Sequence, residues 1–119
     1  MLLSVLLSAC GLSQVDSASP ECDRSPALTY QNFGKGYMDL HCNGCHSSLL
    51  PEQHRVGAPI GVSFDTYKEV MDWLDRIEAR GTTDPPTMPP GGGPSADEVD
   101  LLAEWLECDV YPTVAEDVQ

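Results

Sequence analysis

Cys42-Asn43-Gly44-Cys45-His46 is the stretch whose reading decides the rest of the chain. It has the form C-x-x-C-H, the attachment signature for a covalently bound haem. The spacing has a mechanical reason. Thiols three positions apart reach the two vinyl groups on one edge of a porphyrin, and the histidine that follows is carried under the ring to ligate the iron. Two other chemistries use a C-x-x-C pair. A structural zinc site needs two further ligands at tight spacing; His41 and His54 are available, but no second C-x-x-C or H-x₃₋₅-H follows. A thioredoxin-like redox pair needs a strand–helix alternation, and the chain carries little strand signal.

A low-spin haem iron takes a second axial ligand, and the chain has four methionines. Met1 is lost if the N-terminus is processed. Met38 precedes His46 on the same predicted helix, on the wrong side of a ring. Met71 falls in a helical pattern and reads as core. Met88 stands in Asp84-Pro85-Pro86-Thr87-Met88-Pro89-Pro90-Gly91-Gly92-Gly93, where flanking prolines fix φ and stiffen the loop. Met88 is therefore the expected iron ligand opposite His46.

The rest of the chain bounds what such a site could serve. It has 119 residues, 19 acidic against 6 basic side chains, and a net charge of −13. One domain is the default at this length. The charge argues against nucleic acid, whose backbone is anionic, and favours partners with basic patches. No stretch reaches the roughly 20 apolar residues of a membrane-spanning helix.

Residues 1–9, MLLSVLLSA, read as a targeting segment. Leu7-Ser8-Ala9-Cys10 resembles a bacterial lipobox, which implies acylation of Cys10 and a membrane anchor; the alternative is an ordinary secretory signal. Residues 10–28 then form a lipidated flexible tether, 29–110 the haem domain and 111–119 a C-terminal tail. Covalent haem attachment in bacteria takes place outside the cytoplasm, so both features predict a periplasmic or cell-surface location. Of five cysteines, setting aside Cys10, Cys42 and Cys45 leaves Cys22 and Cys108. In an oxidising compartment these read as one disulfide.

Hydrophobic spacing predicts three helices. Residues 29–42 carry Tyr30, Phe33, Tyr37 and Leu40 on one face. Residues 65–80 carry Tyr67, Val70, Leu74 and Ile77, with Ser63 or Asp65 as the cap and Gly81 as the residue that ends the helix. Ser95-Ala96-Asp97-Glu98 is a capping box opening the last helix, whose inward stripe is Val99, Leu102 and Leu106, flanked by Leu101 and Trp105. Asp97, Glu98, Asp100, Glu104 and Glu107 fill its other face, as a solvated surface or a docking one.

From about Thr29 to Cys108 the sequence resembles the small bacterial monohaem members of the class I c-type cytochromes. Four features match in order: C-x-x-C-H at the end of a first helix; Gly57-Ala58-Pro59-Ile60, similar to the family's Gly-Pro loop; Arg80-Gly81 followed by Thr87-Met88-Pro89-Pro90; and a last helix bearing Trp105. The 42 residues from His46 to Met88 suit the short members. The resemblance implies an all-α cytochrome c fold wrapped around one haem c, bound by Cys42 and Cys45 and ligated by His46 and Met88. It also implies small residues, Gly34 or Gly36, where the first and last helices cross, and a Pro59 carbonyl that orients His46. Arg55 is a candidate partner for a haem propionate or a solvated loop arginine. Tyr67 and Trp73 either meet the haem or pack in the core. The implied role is electron transfer to and from partner proteins rather than catalysis. The alternative is a haem enzyme or gas sensor in which Met88 is displaceable. For that reading the preceding loop offers only Thr82, Thr83, Asp84 and Thr87 as polar groups, and His54 lies close behind His46.

Overall fold

The computed structural model describes residues 20–119. The expected signal segment 1–9, Cys10 and residues 11–19 of the expected tether lie outside the described residues. Every regular element among those described is helical.

The first helical run, α1, covers 30–46, four residues beyond the expected end. It is built from Tyr30–Gly34, Lys35–Tyr37, Met38–Cys42 and Asn43–His46. Thr29 caps it: its side chain accepts from the Asn32 N–H while the Asn32 side chain accepts from the Thr29 N–H. Two turns are widened, with Lys35 N–H donating to Tyr30 and Asn43 N–H to Met38, five residues back instead of four. A widened turn rotates every side chain after it relative to the regular spacing. Leu40 is 73% exposed, whereas Met38 is fully buried; the expected apolar stripe therefore holds for Tyr30, Phe33 and Tyr37 and fails at Leu40.

The expected second helix is two. α2 is Tyr67–Asp72 and α3 is Leu74–Gly81. They break at Trp73 (φ −112°, ψ 13°), whose N–H is shared between the Glu69 and Val70 carbonyls. The cap is Thr66, paired with Glu69 in a reciprocal box, not Ser63 or Asp65. Gly81 is the last helical residue, with Thr82 beyond it. A Cβ at Gly81 would lie 3.1 Å from Leu102 Cδ2, so this glycine serves close helix approach.

The last run, α4, covers 96–117 through Ala96–Trp105, Leu106–Val110 and Tyr111–Asp117. Ser95 and Glu98 form the expected capping box. The run continues through the segment expected as a tail: Val114 packs on the core, and Tyr111 Oη donates to Glu78 and, at 3.4 Å, to Asp75 on α3.

α1 and α4 cross at Gly34 and Trp105. A Cβ at Gly34 would sit 2.2 Å from the indole. Gly36 has open space around it, so the close approach rests on Gly34 alone. Trp105, Met38, Leu102, Leu106, Val70 and Val110 are essentially fully buried around the crossing. Tyr30, stacked on Tyr67 at 5.1 Å, and Phe33 edge-on to Trp105 close one side. Asp109 serves this aromatic cluster: its Oδ2 accepts from Trp105 Nε1 at 2.9 Å and from Tyr67 Oη at 3.0 Å.

The described residues before α1, 20–29, are tied to α4. Cys22 and Cys108 are joined, with Cα atoms 5.5 Å apart. Arg24 grips Glu104 with both Nε and Nη2, at 2.6 and 2.9 Å.

Candidate haem-binding site

Cys42, Cys45 and His46 occupy the C-terminal end of α1. Asn43, inside the motif, donates to Asp39 at 3.0 Å and to the Phe64 carbonyl at 3.2 Å, which ties this end of the helix to the loop that returns beneath it. Cys42 and Cys45 are not bonded to each other. Burial pushes the Cys42 thiol up to about 12, opposite to the lowered thiol pKa of a disulfide-exchange centre. Among the described residues no three His, Cys, Asp or Glu side chains come together as a cage for a bare metal ion, as a structural zinc site would require.

His46 is held at three points. Its carbonyl accepts from the Phe64 N–H at 2.9 Å. Its ring stacks on Phe64, centroids 4.7 Å apart and planes 26° from parallel. Its Nδ1 lies 3.0 Å from the Val62 carbonyl oxygen. An oxygen of that kind only accepts, so Nδ1 carries the proton and Nε2 keeps the lone pair that a metal takes. The acceptor is Val62, not Pro59 as expected. The Pro59 carbonyl is taken by the Val62 N–H at 3.2 Å and by Arg55 Nη2 at 2.9 Å. That turn, passing through Gly61 at φ +88°, carries the chain on by three residues before a carbonyl faces the ring.

Arg55 departs from the solvated-loop expectation. It is 1% exposed, so it is no solvated loop arginine. The nitrogens that would meet a propionate are turned into the loop: Nε bonds Ala58 O at 3.2 Å, Nη1 bonds Ser47 O, and Nη2 reaches Pro59 O and, at 2.7 Å, Val62 O. The next residue, Val56, takes φ +53°, a left-handed conformation that a β-branched residue adopts only under strain. The turn closes around the buried guanidinium, with Ala58 N–H donating to Arg55 O at 2.9 Å. Ser48 N–H donates to Asp65 Oδ2 at 2.6 Å and completes the loop.

Met88 stands on the loop between α3 and α4. Thr87 and Met88 N–H groups both donate to the Arg80 carbonyl, at 2.9 and 3.0 Å, which fixes one end of the loop to the last turn of α3. The far end reaches α1: a Cβ at Gly93 would lie 3.6 Å from His41 Nδ1. His41 in turn packs on Tyr37 at 4.8 Å and pairs with Glu98 at 3.2 Å. Gly93 thus lies near His41, the residue before Cys42, while Met88 is 40% exposed. Tyr67, given to Asp109, is part of the helical core. Trp73 marks the α2–α3 break.

The surroundings suit a flat apolar group. Of the large apolar residues exposed among those described, Leu40, Leu49, Val56, Ile60 and Met88 come from the segments flanking the motif or from the Met88 loop, and Val118 from beyond α4. Scattered exposed apolar residues are ordinary, but here all except Val118 belong to the elements that carry the thiols, the imidazole and the thioether. The donor set, two thiols, one imidazole with a free Nε2 and one thioether, fits haem c. Val62 and Phe64 were not legible as site residues, and His41 was read only as an available zinc ligand: Val62 acts through its backbone, Phe64 through its stacking on His46, and His41 through Glu98, remote in sequence.

Comparison of this chain with family models, curated proteins and solved structures finds no match. Among the described residues no helix is long and apolar enough to cross a membrane.

Proposed function

We propose that this chain is an exported electron carrier of the class I c-type cytochrome kind, with one haem c on Cys42 and Cys45 and with His46 and Met88 as axial ligands. The observation that carries the reading is His46 itself: it ends a C-x-x-C-H motif, its Nδ1 proton is committed to Val62, and its Nε2 is left to ligate. The α1–α4 crossing at Gly34 and Trp105 supports the cytochrome c fold, since it is the close contact the resemblance implies between the first and last helices.

When bound, the haem supplies a one-electron iron couple. The chain's own residues do the rest. Cys42 and Cys45 prevent the group from leaving. Val62 and Phe64 fix the imidazole plane, as partners beyond the ligand commonly do. The thioether of Met88 would favour the ferrous state and raise the potential, and the two bonds to the Arg80 carbonyl restrict where its loop can go. The Cys22–Cys108 bond fits an oxidising compartment. A lipid anchor at Cys10 would hold the domain at a membrane surface. Glu98 and Glu104 are engaged with His41 and Arg24, which leaves Asp97, Asp100 and Glu107 exposed on α4 for a redox partner with a basic patch.

The exposure of Met88 favours one second reading, a haem enzyme or gas sensor in which the thioether is displaced. Absorption spectra of the chain produced with a c-type maturation system separate the two. Haem that survives acid–acetone extraction, and a weak far-red sulfur-to-iron band that disappears in Met88→Ala, are the expected results for the carrier. A high-spin ferric spectrum, or rapid carbon monoxide binding to the reduced protein, would replace the carrier with the sensor. Extractable haem would overturn both.

A further inference from the structure

We propose that Arg55 is a positioning residue for His46, setting the electronic character of the imidazole through the carbonyl they share. The inference rests on the reading of His46 as an iron ligand. The Val62 oxygen has two lone pairs and two donors: His46 Nδ1 at 3.0 Å and Arg55 Nη2 at 2.7 Å. The shorter of the two comes from a cation that stays protonated at any working pH. Donors on one oxygen compete. A guanidinium drawing on the Val62 oxygen weakens the pull of that oxygen on the Nδ1 proton.

The strength of that pull decides how much anionic character the imidazole takes on, and through it how well the ferric state is favoured. Three further observations place the effect on the site. Arg55 is 1% exposed, where hydrogen bonds gain strength from the low local dielectric. None of the ion pairs among the described residues includes it; its N–H groups go to the carbonyls of Ser47, Ala58, Pro59 and Val62, and its charge also acts on the Asp65 carboxylate. And this charge sits beside the imidazole in a chain of net charge −13, where a buried cation costs desolvation that a neutral clamp would avoid. Both the shared oxygen and the nearby charge favour the ferrous state, so Arg55 holds the potential up.

The test compares the haem-bearing wild type with Arg55→Gln and Arg55→Lys, by spectroelectrochemical titration and by proton NMR of the His46 Nδ1–H in the reduced form. Arg55→Gln is expected to lower the ferrous-to-ferric ratio at the wild-type midpoint about tenfold, which is about 59 mV for a one-electron couple, and to move the Nδ1 proton downfield. Arg55→Lys keeps the charge but not the planar fork; about a threefold shift in the same direction is expected. If Gln at this position prevents folding, the Lys variant alone decides. Unchanged potential and unchanged Nδ1 resonance in a variant with wild-type circular dichroism would overturn the proposal and leave Arg55 as a loop clamp. A wild-type chain that takes no covalent haem, or whose haem spectrum survives His46→Ala, overturns the functional reading and this proposal with it.

Discussion

Along α4, Val99, Leu102, Trp105 and Leu106 are buried while Asp97, Asp100 and Glu107 are exposed, and Asp109 alone is turned to the Trp105 and Tyr67 donors. Along the loop 47–65 the arrangement is mixed: Arg55, Ser47 and Ser63 are buried together with Phe64, while Leu49, Val56 and Ile60 are exposed. The two regions are held by different forces. Around α4 the stabilisation is apolar area removed from water and close packing, concentrated where Trp105 lies on Gly34. In the loop it is hydrogen bonding to backbone carbonyls by one arginine, with Ser48 and Asp65 as a second tie. The difference teaches that the helical half is complete as a protein core. The loop half has turned Arg55 onto its own backbone and leaves Leu49, Val56 and Ile60 exposed, on the segment that follows the C-x-x-C-H motif.

That contrast can be broken first at its strongest point. Trp105→Ala removes the largest fully buried side chain and leaves Asp109 without its indole donor; a loss of about 3–5 kcal/mol is expected from urea unfolding of the purified chain. Gly34→Ala, which pushes a Cβ into the same indole, is expected to cost about 1–3 kcal/mol. The same truncation in the loop, Ile60→Ala, is expected to change the stability of the haem-free chain by less than about 0.5 kcal/mol. If Ile60→Ala costs as much as Trp105→Ala, the loop is a second core and the contrast is wrong.

The helical half was the more legible of the two, for a physical reason. Val99, Leu102 and Leu106, or Val70, Leu74 and Ile77, are near neighbours in sequence that share a face because a helix has a fixed period, and the capping box at Ser95 is equally local. What failed there were departures from the period: the widened turns that expose Leu40, the break at Trp73, and α4 running on past Cys108 because Tyr111 and Val114 find partners on other elements. Thr66-x-x-Glu69 carried a readable box that the Ser63 or Asp65 reading passed over. In the site, the motif named Cys42, Cys45 and His46 and the prolines singled out Met88. The acceptor for His46 was not legible, since every residue has a carbonyl and only the closed turn through Gly61 decides which one faces the ring. Arg55 looked like a surface residue because its partners are all backbone oxygens, which leave no trace in side-chain identity.

Alkali and acid sharpen the comparison by attacking the halves separately. All four tyrosines belong to the helical half, and all four are held above the usual phenol range. Burial is the main cause for Tyr30, Tyr37 and Tyr67, and hydrogen bonding to Glu78 for Tyr111. Below about pH 10 the phenols are protonated in folded and unfolded chains alike, and this contribution is fully present. Above it the unfolded chain releases protons that the folded chain keeps, so stability falls as pH rises toward the folded values. Absorbance at 295 nm should therefore lag behind free tyrosine and rise together with the loss of helical circular dichroism. Tyrosines that titrate near pH 10 with the helices intact would remove these phenols from the core.

The smallest effect concerns the loop. Burial acts to raise the Asp65 carboxyl, but hydrogen bonds from Ser47 and Ser48 and the charge of Arg55 outweigh it and hold it below the usual carboxylate value. Its contribution is present above about pH 3.9 and is lost as pH falls through the lower folded value. Because the carboxylate is largely open to solvent, screening keeps the contribution modest, and it is better sought locally than in a global melt. Hydrogen exchange at the Ser48 amide should lose protection, relative to its intrinsic rate, in strong acid in the wild type. In Asp65→Asn that protection should be low already at neutral pH and change little on acidification, because no carboxylate remains to be protonated. The amide of Leu102, inside α4, should keep its protection throughout. If Ser48 and Leu102 open together at the same acid pH in the wild type, loop and helices form one cooperative unit, and the polar clamp around His46 draws its rigidity from the core rather than from Arg55 and Asp65.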